Sequence, residues 1–244
     1  MTLTPAALDA YADTYYLSAE IPDLDIEELG QRLSIPRTLA ALGDARRVLE
    51  MGYGTGLVTG ELLARGVAIE VVEGSPKLCA VARAAHAARG LVVHEALFES
   101  FVPAERYDAV LALHIAEHVD DPVALLAGVR EWLRPGGSII VIVPNAQSLH
   151  RRLAVRMGLQ ERLDALSPRD HLVGHQRVYD LERLRGDLER AGFRPAEEFG
   201  YQLKTVPNAM MADWPPELLA ALVDISEELP PALLANIGVR AVRG

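Results

Sequence analysis

A chain of 244 residues that is half apolar, with charged residues spread throughout, has the make-up of a soluble globular protein long enough for one well-buried domain. Its formal net charge of −10 argues against a nucleic-acid partner, whose phosphates are bound mainly through Lys and Arg, and favours a small-molecule partner. The lone Cys79 allows no intramolecular disulfide, the opening MTLTPAALDAYADTYY has no leader character, and no apolar run nears the ~20 residues of a membrane span; the expectation is a cytoplasmic protein away from membranes.

Residues 1–43 read as a helical lead-in, or lid, carrying Tyr11, Tyr15 and Tyr16. On one helix Tyr15 and Tyr16 cannot both face inward, so one of them is a lid residue. The remainder, 44–244, alternates short β-branched runs with helical patterns. RRVLEM, AIEVVEG, GLVVHEA, YDAVLAL and GSIIVIV read as strands, and GLVTGELLARG, SPKLCAVARAAHAAR and DPVALLAGVREWLRPGG as helices between them. Strands apolar on both faces and joined by helices predict a parallel sheet covered on both sides. Asp121-Pro122 opens one helix and Gly136-Gly137 follows its end. The stretch from about 146 to 179 is too long for an ordinary connection and predicts a helical cap inserted into the domain. DLERLRGDLERAGF returns to a helix, RPAEEFGYQLKTV to a strand and LLANIGVRAVR to a final strand.

The site is legible first in VLEMGYGTGLVT, where Gly52, Gly54 and Gly56 stand at alternate positions between a strand and a helix. Such a turn lets backbone approach a ligand that side chains would hold off. A dinucleotide site would read G-x-G-x-x-G; this turn reads G-x-G-x-G, and Glu50 just before it would repel phosphate, which favours a cationic or amine-bearing ligand. Glu73 ends the second strand about 20 residues on, where an acid in such folds holds ribose hydroxyls. Glu95 ends the third. A strand-end carboxylate is commonly a cap or a solvated charge, and it is the convergence of the three on one rim, with the glycines, that marks a site.

From about Arg46 to Phe193 the chain resembles the class I S-adenosylmethionine-dependent methyltransferases, especially the ubiquinone-biosynthesis type and its small-molecule and natural-product relatives. VLEMGYGTG, VVEGSP and HEALFES match that family's turn, ribose acid and adenine segment, and YDAVLALHIAEHVDDPVALLAGVREWLRPGGSIIVIVPN matches its central strand-helix-strand block. The resemblance implies a Rossmann-like doubly wound α/β sheet, mostly parallel with an antiparallel final strand, that binds S-adenosyl-L-methionine. It implies that the glycine turn packs on the donor's methionine part with Glu50 near the ammonium, that Glu73 and Gly74 meet the ribose, and that Glu95, Ala96 and Leu97 meet the adenine. Tyr53, between the glycines, is larger than the family's usual residue there.

LHIAEHVDD also spells H-x-x-E-H, an inverted zinc-peptidase signature in which His114 and His118 would share a metal on one helix face. On the methyltransferase resemblance the segment is the fourth strand and the turn leaving it, so that geometry fails. His114 then faces the donor and is the candidate base, alongside His118 as a second catalytic candidate, or it only shapes the pocket while Glu117 and His118 brace the turn. Asn145, with His171, His175, Arg177 and Tyr179 of the cap and Tyr11 and Tyr16 of the lead-in, are candidate acceptor contacts, and Tyr15 and His114 are candidate donor contacts. His175 and Tyr179 match positions where relatives often carry a His and an aromatic residue, and Arg177 could clamp an acid or form an exposed salt bridge. A metal shared by His114, His171 and His175 is disfavoured, and no metal is expected. The resulting expectation is methyl transfer to an oxygen, less often a nitrogen, of a small molecule in natural-product or sugar biosynthesis, with a homodimer left open. A non-catalytic donor-binding protein, a metal-dependent hydrolase and a dinucleotide enzyme are the alternatives.

Overall fold

The computed structural model describes residues 4–18 and 24–244. The part of the lead-in at 1–3 and 19–23 lies outside the described residues. Helix α1 (Pro5–Thr14) is opened by Thr4, whose hydroxyl accepts from the Ala7 amide, with Pro5 in the first turn. Helix α2 (Leu24–Leu42) leads into β1 (Arg47–Met51). There follow α3 (Leu57–Ala64), β2 (Ala68–Glu73), α4 (Pro76–Ala85), β3 (Val92–Glu95) and β4 (Tyr107–Leu113). Next come α5 (Pro122–Trp132) and β5 (Leu133–Pro144). The same opening recurs at α4 and α5, where Ser75 and Asp121 cap the helix and proline takes its first position.

The cap segment holds α6 (Leu149–Arg156) and α7 (Pro168–Leu172) and rejoins the sheet through a bridge between Asn145 and Tyr179. Helix α8 (Leu181–Arg190), β6 (Phe193–Tyr201), α9 (Pro216–Ser226) and β7 (Asn236–Arg243) complete the chain. The seven strands order as β3-β2-β1-β4-β5-β7-β6, and β7 runs antiparallel to both neighbours. This is the doubly wound sheet, mostly parallel with an antiparallel final strand, that the sequence predicts. Among the described residues no helix is long and apolar enough to cross a membrane.

Several boundaries differ from the sequence reading; α4, for one, ends at Ala85 and a 3-10 turn takes Ala87–Arg89. Helix α5 stops at Trp132, and Pro135, Gly136 and Gly137 fall inside β5 because Leu133 already pairs with Tyr107 and a register shift between Tyr107 and Ala109 absorbs the extra length. Strand β6 stops at Tyr201 because Gln202 turns into the left-handed region, with φ 64°. Helix α9 has no counterpart in the sequence reading.

The core lies on both faces of the sheet. Leu49, Val110, Ile139 and Val239 meet α5 and α8 on one side, and Val48, Leu111, Ile140 and Ile142 meet the α2 and α3 side on the other. Each such side chain contributes about 1.5–3 kcal/mol through burial. In register Glu50 lies beside both Val71 and Leu111, so β1, β2 and β4 end together and deliver their next residues to one rim.

Candidate functional site

The rim opens into a cavity of about 1060 Å³ whose wall is built from the glycine turn, the strand ends, α1 and the cap. Gly52, Gly54 and Gly56 have φ of 78°, 55° and 74°, a region closed to most side chains. A Cβ on Gly56 would lie 2.1 Å from the Tyr53 hydroxyl, since Tyr53 folds back over the turn and brings that hydroxyl to 3.2 Å from His86 Nε2. The bulky residue between the glycines is thus tucked against α4, and the backbone of Gly52 and Gly54 stays on the cavity wall. A Cβ on Gly74 would meet Leu8 Cδ1 at 2.6 Å, so this glycine lets α1 close over the end of β2.

Glu50 lines the cavity while 96% buried; its carboxylate takes a hydrogen bond from Thr59, and burial pushes its pKa up to about 8. Such a group calls for a cation, and an ammonium at the glycine turn supplies one. Glu73 accepts from the Tyr53 amide at 2.9 Å and the Ser75 amide at 2.7 Å. Burial raises its pKa while those backbone donors pull it down. Each oxygen keeps acceptor capacity for a ligand hydroxyl. Glycine cradle, cation-seeking carboxylate and fixed acceptor together suit an amino-acid nucleoside.

Tyr11, Tyr15 and Tyr16 all line the cavity, with ring centroids 5.2–5.6 Å apart. The chain leaves the α-helix at Tyr15, which frees Tyr15 and Tyr16 from helical spacing and lets both face the cavity. Asp9 anchors α1 to the start of α4 by accepting from the Ser75 hydroxyl at 2.5 Å and the Lys77 amide at 3.0 Å.

Glu95 and Ala96 are placed differently from the family pattern. The Glu95 carboxylate is 46% exposed and paired with Arg83 at 3.0 Å, because the α4 guanidinium draws it to the outside of edge strand β3. The Ala96 amide is spent on the Glu73 carbonyl at 3.0 Å. Leu97 does line the cavity, together with Phe98 and Glu99 of the following 3-10 turn. Glu99 escapes the sequence reading because two carboxylates lie in HEALFES and strand counting selects the first.

His114 sits just past β4 in the left-handed region, φ 57°, with its amide on the Ile142 carbonyl at 2.8 Å. Its ring spans two partners: Nδ1 is 3.1 Å from Glu117 Oε1 and Nε2 is 3.1 Å from the Tyr201 hydroxyl, while 39% of the side chain faces the cavity. Burial works against its charged form, yet the Glu117 carboxylate outweighs this and raises its pKa. Tyr201, whose hydroxyl burial drives upward, joins from β6. It lies 87 residues away, and only the topology β4-β5-β7-β6 could have revealed it.

His118 and His175 also line the cavity, packed edge to face with ring centroids 4.7 Å apart. Their nitrogens and a Glu117 oxygen lie within 4.8 Å of one another, a group the sequence reading does not assemble. Burial lowers the His118 pKa, with the Glu117 charge opposing. His175 Nδ1 meets Asp170 Oδ1 at 2.7 Å, and Asp170 is held by Arg151 at 2.6 Å.

Four expected acceptor contacts lie off the cavity wall. The Asn145 carboxamide donates to Ala232 and Leu234 carbonyls at 2.9 and 2.8 Å and accepts from the Gln147 amide, so its capacity is used in the fold. Arg177 donates to the carbonyls of Ala116, Val119 and Asp120, which makes it a clasp for the turn after His114 instead of an acid clamp or a surface salt bridge. Tyr179 is fully buried with its hydroxyl on Asp187 at 3.0 Å. His171 is exposed on the outer side of α7.

Residues 25–198 match the family model described as "Methyltransferase domain". A ubiquinone biosynthesis O-methyltransferase of Cereibacter sphaeroides is 28% identical over 180 residues, 71% of this chain and 68% of that protein. Among solved structures, an S-adenosylmethionine-dependent methyltransferase of Mesorhizobium loti superposes with a TM-score of 0.61 at 18% identity, covering 86% of this chain and 96% of that one. One from Archaeoglobus fulgidus gives 0.58 at 19%, covering 88% and 94%.

Proposed function

The chain belongs to the methyltransferase domain family, the S-adenosylmethionine-dependent enzymes of class I, and from that premise we propose that it methylates an oxygen, in preference to a nitrogen, of a small organic molecule. The observation that carries the choice of oxygen is His114, held between Glu117 and Tyr201 on the cavity wall at the rim shared with Glu50. The O-methyltransferase relative supports it. The donor supplies a methyl group on a positively charged sulfur. On this reading Glu50 faces its ammonium, Gly52 and Gly54 pack on the methionine part, Glu73 takes ribose hydroxyls and Leu97 covers the adenine.

Most of the acceleration comes from holding the acceptor oxygen in line with the carbon-sulfur bond in a site that excludes water, which the three tyrosines and the cap provide. His114 takes the hydroxyl proton at Nε2 once the Tyr201 hydroxyl yields that position, and Glu117 fixes the ring through Nδ1 and stabilises the charge it gains. The new oxygen-carbon bond forms as the carbon-sulfur bond breaks, leaving a methyl ether, S-adenosylhomocysteine and a proton on His114. His118 supports the acceptor wall. The reaction is assigned to the cytoplasm and to acceptors of natural-product or sugar biosynthesis.

Isothermal titration with S-adenosylhomocysteine, then transfer of labelled methyl to a panel of hydroxylated acceptors, tests both parts. Failure to bind at millimolar ligand removes the donor site. With binding intact, His114→Ala is expected to lower turnover by about 10²–10⁴-fold and to leave S-adenosylhomocysteine affinity unchanged; a loss of only a few fold removes His114 as base.

A further inference from the structure

The rim divides into two chemistries. Strands β1 and β2 bring the carboxylates of Glu50 and Glu73 to one half of it. Strand β4 is parallel to β5, and β5 and β6 are both antiparallel to the β7 that lies between them, so β4, β5 and β6 all leave the sheet on the other half. The segments they release carry His114, His150 and Lys204, and each of these lines the cavity. His114 answers to the acceptor hydroxyl, whereas His150 and Lys204 have no part in that step.

His150 stands in the first turn of α6, and its Nδ1 is sealed from solvent without a partner. A buried acceptor left unpaired is tolerated better than a buried N–H left unpaired. The ring proton therefore belongs on Nε2, the polar atom that His150 can offer to the cavity it lines. Burial, and after it the charges of Lys204 and Arg151, push the pKa of this ring down to about 2, so it serves as a neutral donor. Lys204 is distant in the chain, yet its charge acts on the ring more than that of adjoining Arg151, which places the ammonium within reach of the imidazole. Lys204 Nζ donates to Asn208 Oδ1 at 2.7 Å, and Asn208 Nδ2 donates to Glu27 at 3.1 Å, which holds the ammonium at the wall. The described acids of this stretch are already engaged. Glu27 also takes Arg169 at 3.1 Å, and Asp170 takes Arg151 at 2.6 Å and His175 at 2.7 Å.

We propose that Lys204 and His150 anchor a carboxylate of the acceptor, so that the small molecule methylated at its hydroxyl is a hydroxy acid. The ammonium supplies charge and the Nε2–H a directed hydrogen bond, and a carboxylate accepts both through its two oxygens. Resting on the methyl-transfer reading, the acceptor is then held at two points, its acid beyond the ends of β5 and β6 and its hydroxyl at His114 beyond β4. Two fixed points align the attacking oxygen better than one. The rival is purely structural: the hydrogen-bonded run from Lys204 through Asn208 and Glu27 to Arg169 only fastens α2 to the cap and to the segment after β6.

The test uses the full chain loaded with S-adenosylhomocysteine and three matched pairs of probes, read by calorimetry: 3-hydroxybenzoate, 4-hydroxycinnamate and 3-hydroxydecanoate, each against its primary amide. In the unaltered protein at least one acid is expected to bind about tenfold or more tightly than its amide. Lys204→Met and His150→Phe are each expected to erase that preference while S-adenosylhomocysteine affinity is kept. No preference in any pair overturns the anchor, a comparison that needs no variant. A preference that survives in folded Lys204→Met, or equal weakening of acid and amide, overturns it in favour of the fastening role. With S-adenosylmethionine, label is expected on the hydroxyl of the preferred acid as a base-stable ether; a base-labile methyl ester would put the carboxylate at the donor and overturn the anchor as well. If S-adenosylhomocysteine binds and the acids show no preference, the anchor alone falls; if S-adenosylhomocysteine fails to bind, the donor reading falls separately.

Discussion

Glu50 shows how much one residue's setting decides. An ordinary glutamate ionises near 4.5, whereas burial here holds the proton until about pH 8. Between those values the folded protein binds more protons than the unfolded chain, so this residue's contribution to stability is greatest below pH 4.5, declines as pH rises to 8 and is level above. An ammonium beside it reverses the preference and favours the ionised form. Binding of S-adenosylhomocysteine at pH 7 is therefore expected to release close to one proton, seen as a dependence of calorimetric heat on the ionisation enthalpy of the buffer. Glu50→Gln should abolish the dependence, and a buffer-independent heat in the parent would sink the assignment. Glu50 and Glu73 were legible because a carboxylate beside glycines at a strand end is conspicuous in one dimension. Tyr201 and the Glu117–His118–His175 group were not, because their partners come from strands and cap segments far apart in the chain.

At the level of elements, the turn from β1 into α3 carries the tightest constraint. Gly56 is left-handed and has the Tyr53 ring lying over it, so Gly56→Ala meets both a backbone penalty of about 1–2 kcal/mol and a collision with that ring. Displacing Tyr53 disturbs its amide bond to Glu73, which ties the loss of stability to the ligand site. The expected outcome is a lower unfolding midpoint in urea together with at least tenfold weaker S-adenosylhomocysteine binding; an unchanged affinity would show that the ring position is irrelevant to the donor. Helix starts were readable because Ser75-Pro76 and Asp121-Pro122 carry their own local chemistry. The end of α5 was not, because strand pairing of Leu133 with Tyr107 overrode the Pro-Gly-Gly stop signal. Glu95 failed for a related reason: an edge strand offers its terminal side chain two directions, and Arg83 decided between them.

Across the whole molecule, the cavity joins the first helix, three central strand ends, the cap and β6, so its occupant couples segments that fold from distant parts of the chain. A ligand at 100 times its dissociation constant adds about 2.7 kcal/mol, and for a chain of this size each kcal/mol moves the melting temperature by about 2–4 °C. Saturating S-adenosylhomocysteine should thus raise it by roughly 5–10 °C in differential scanning, an increase retained by His114→Ala and reduced by Glu50→Gln. No shift in the parent would mean that the glycine rim is not where the nucleoside resides. The left-handed backbone at His114 has a further meaning at this scale. Glycine or asparagine would relax the chain there, so this histidine occupies its place at a cost to the fold. A lineage released from turnover and pressed only to remain folded would surrender that imidazole early, while keeping Glu73, whose carboxylate also ties the glycine turn to the start of α4. Loss of histidine with retention of the glutamate would therefore mark descendants that still recognise the nucleoside after their chemistry has lapsed.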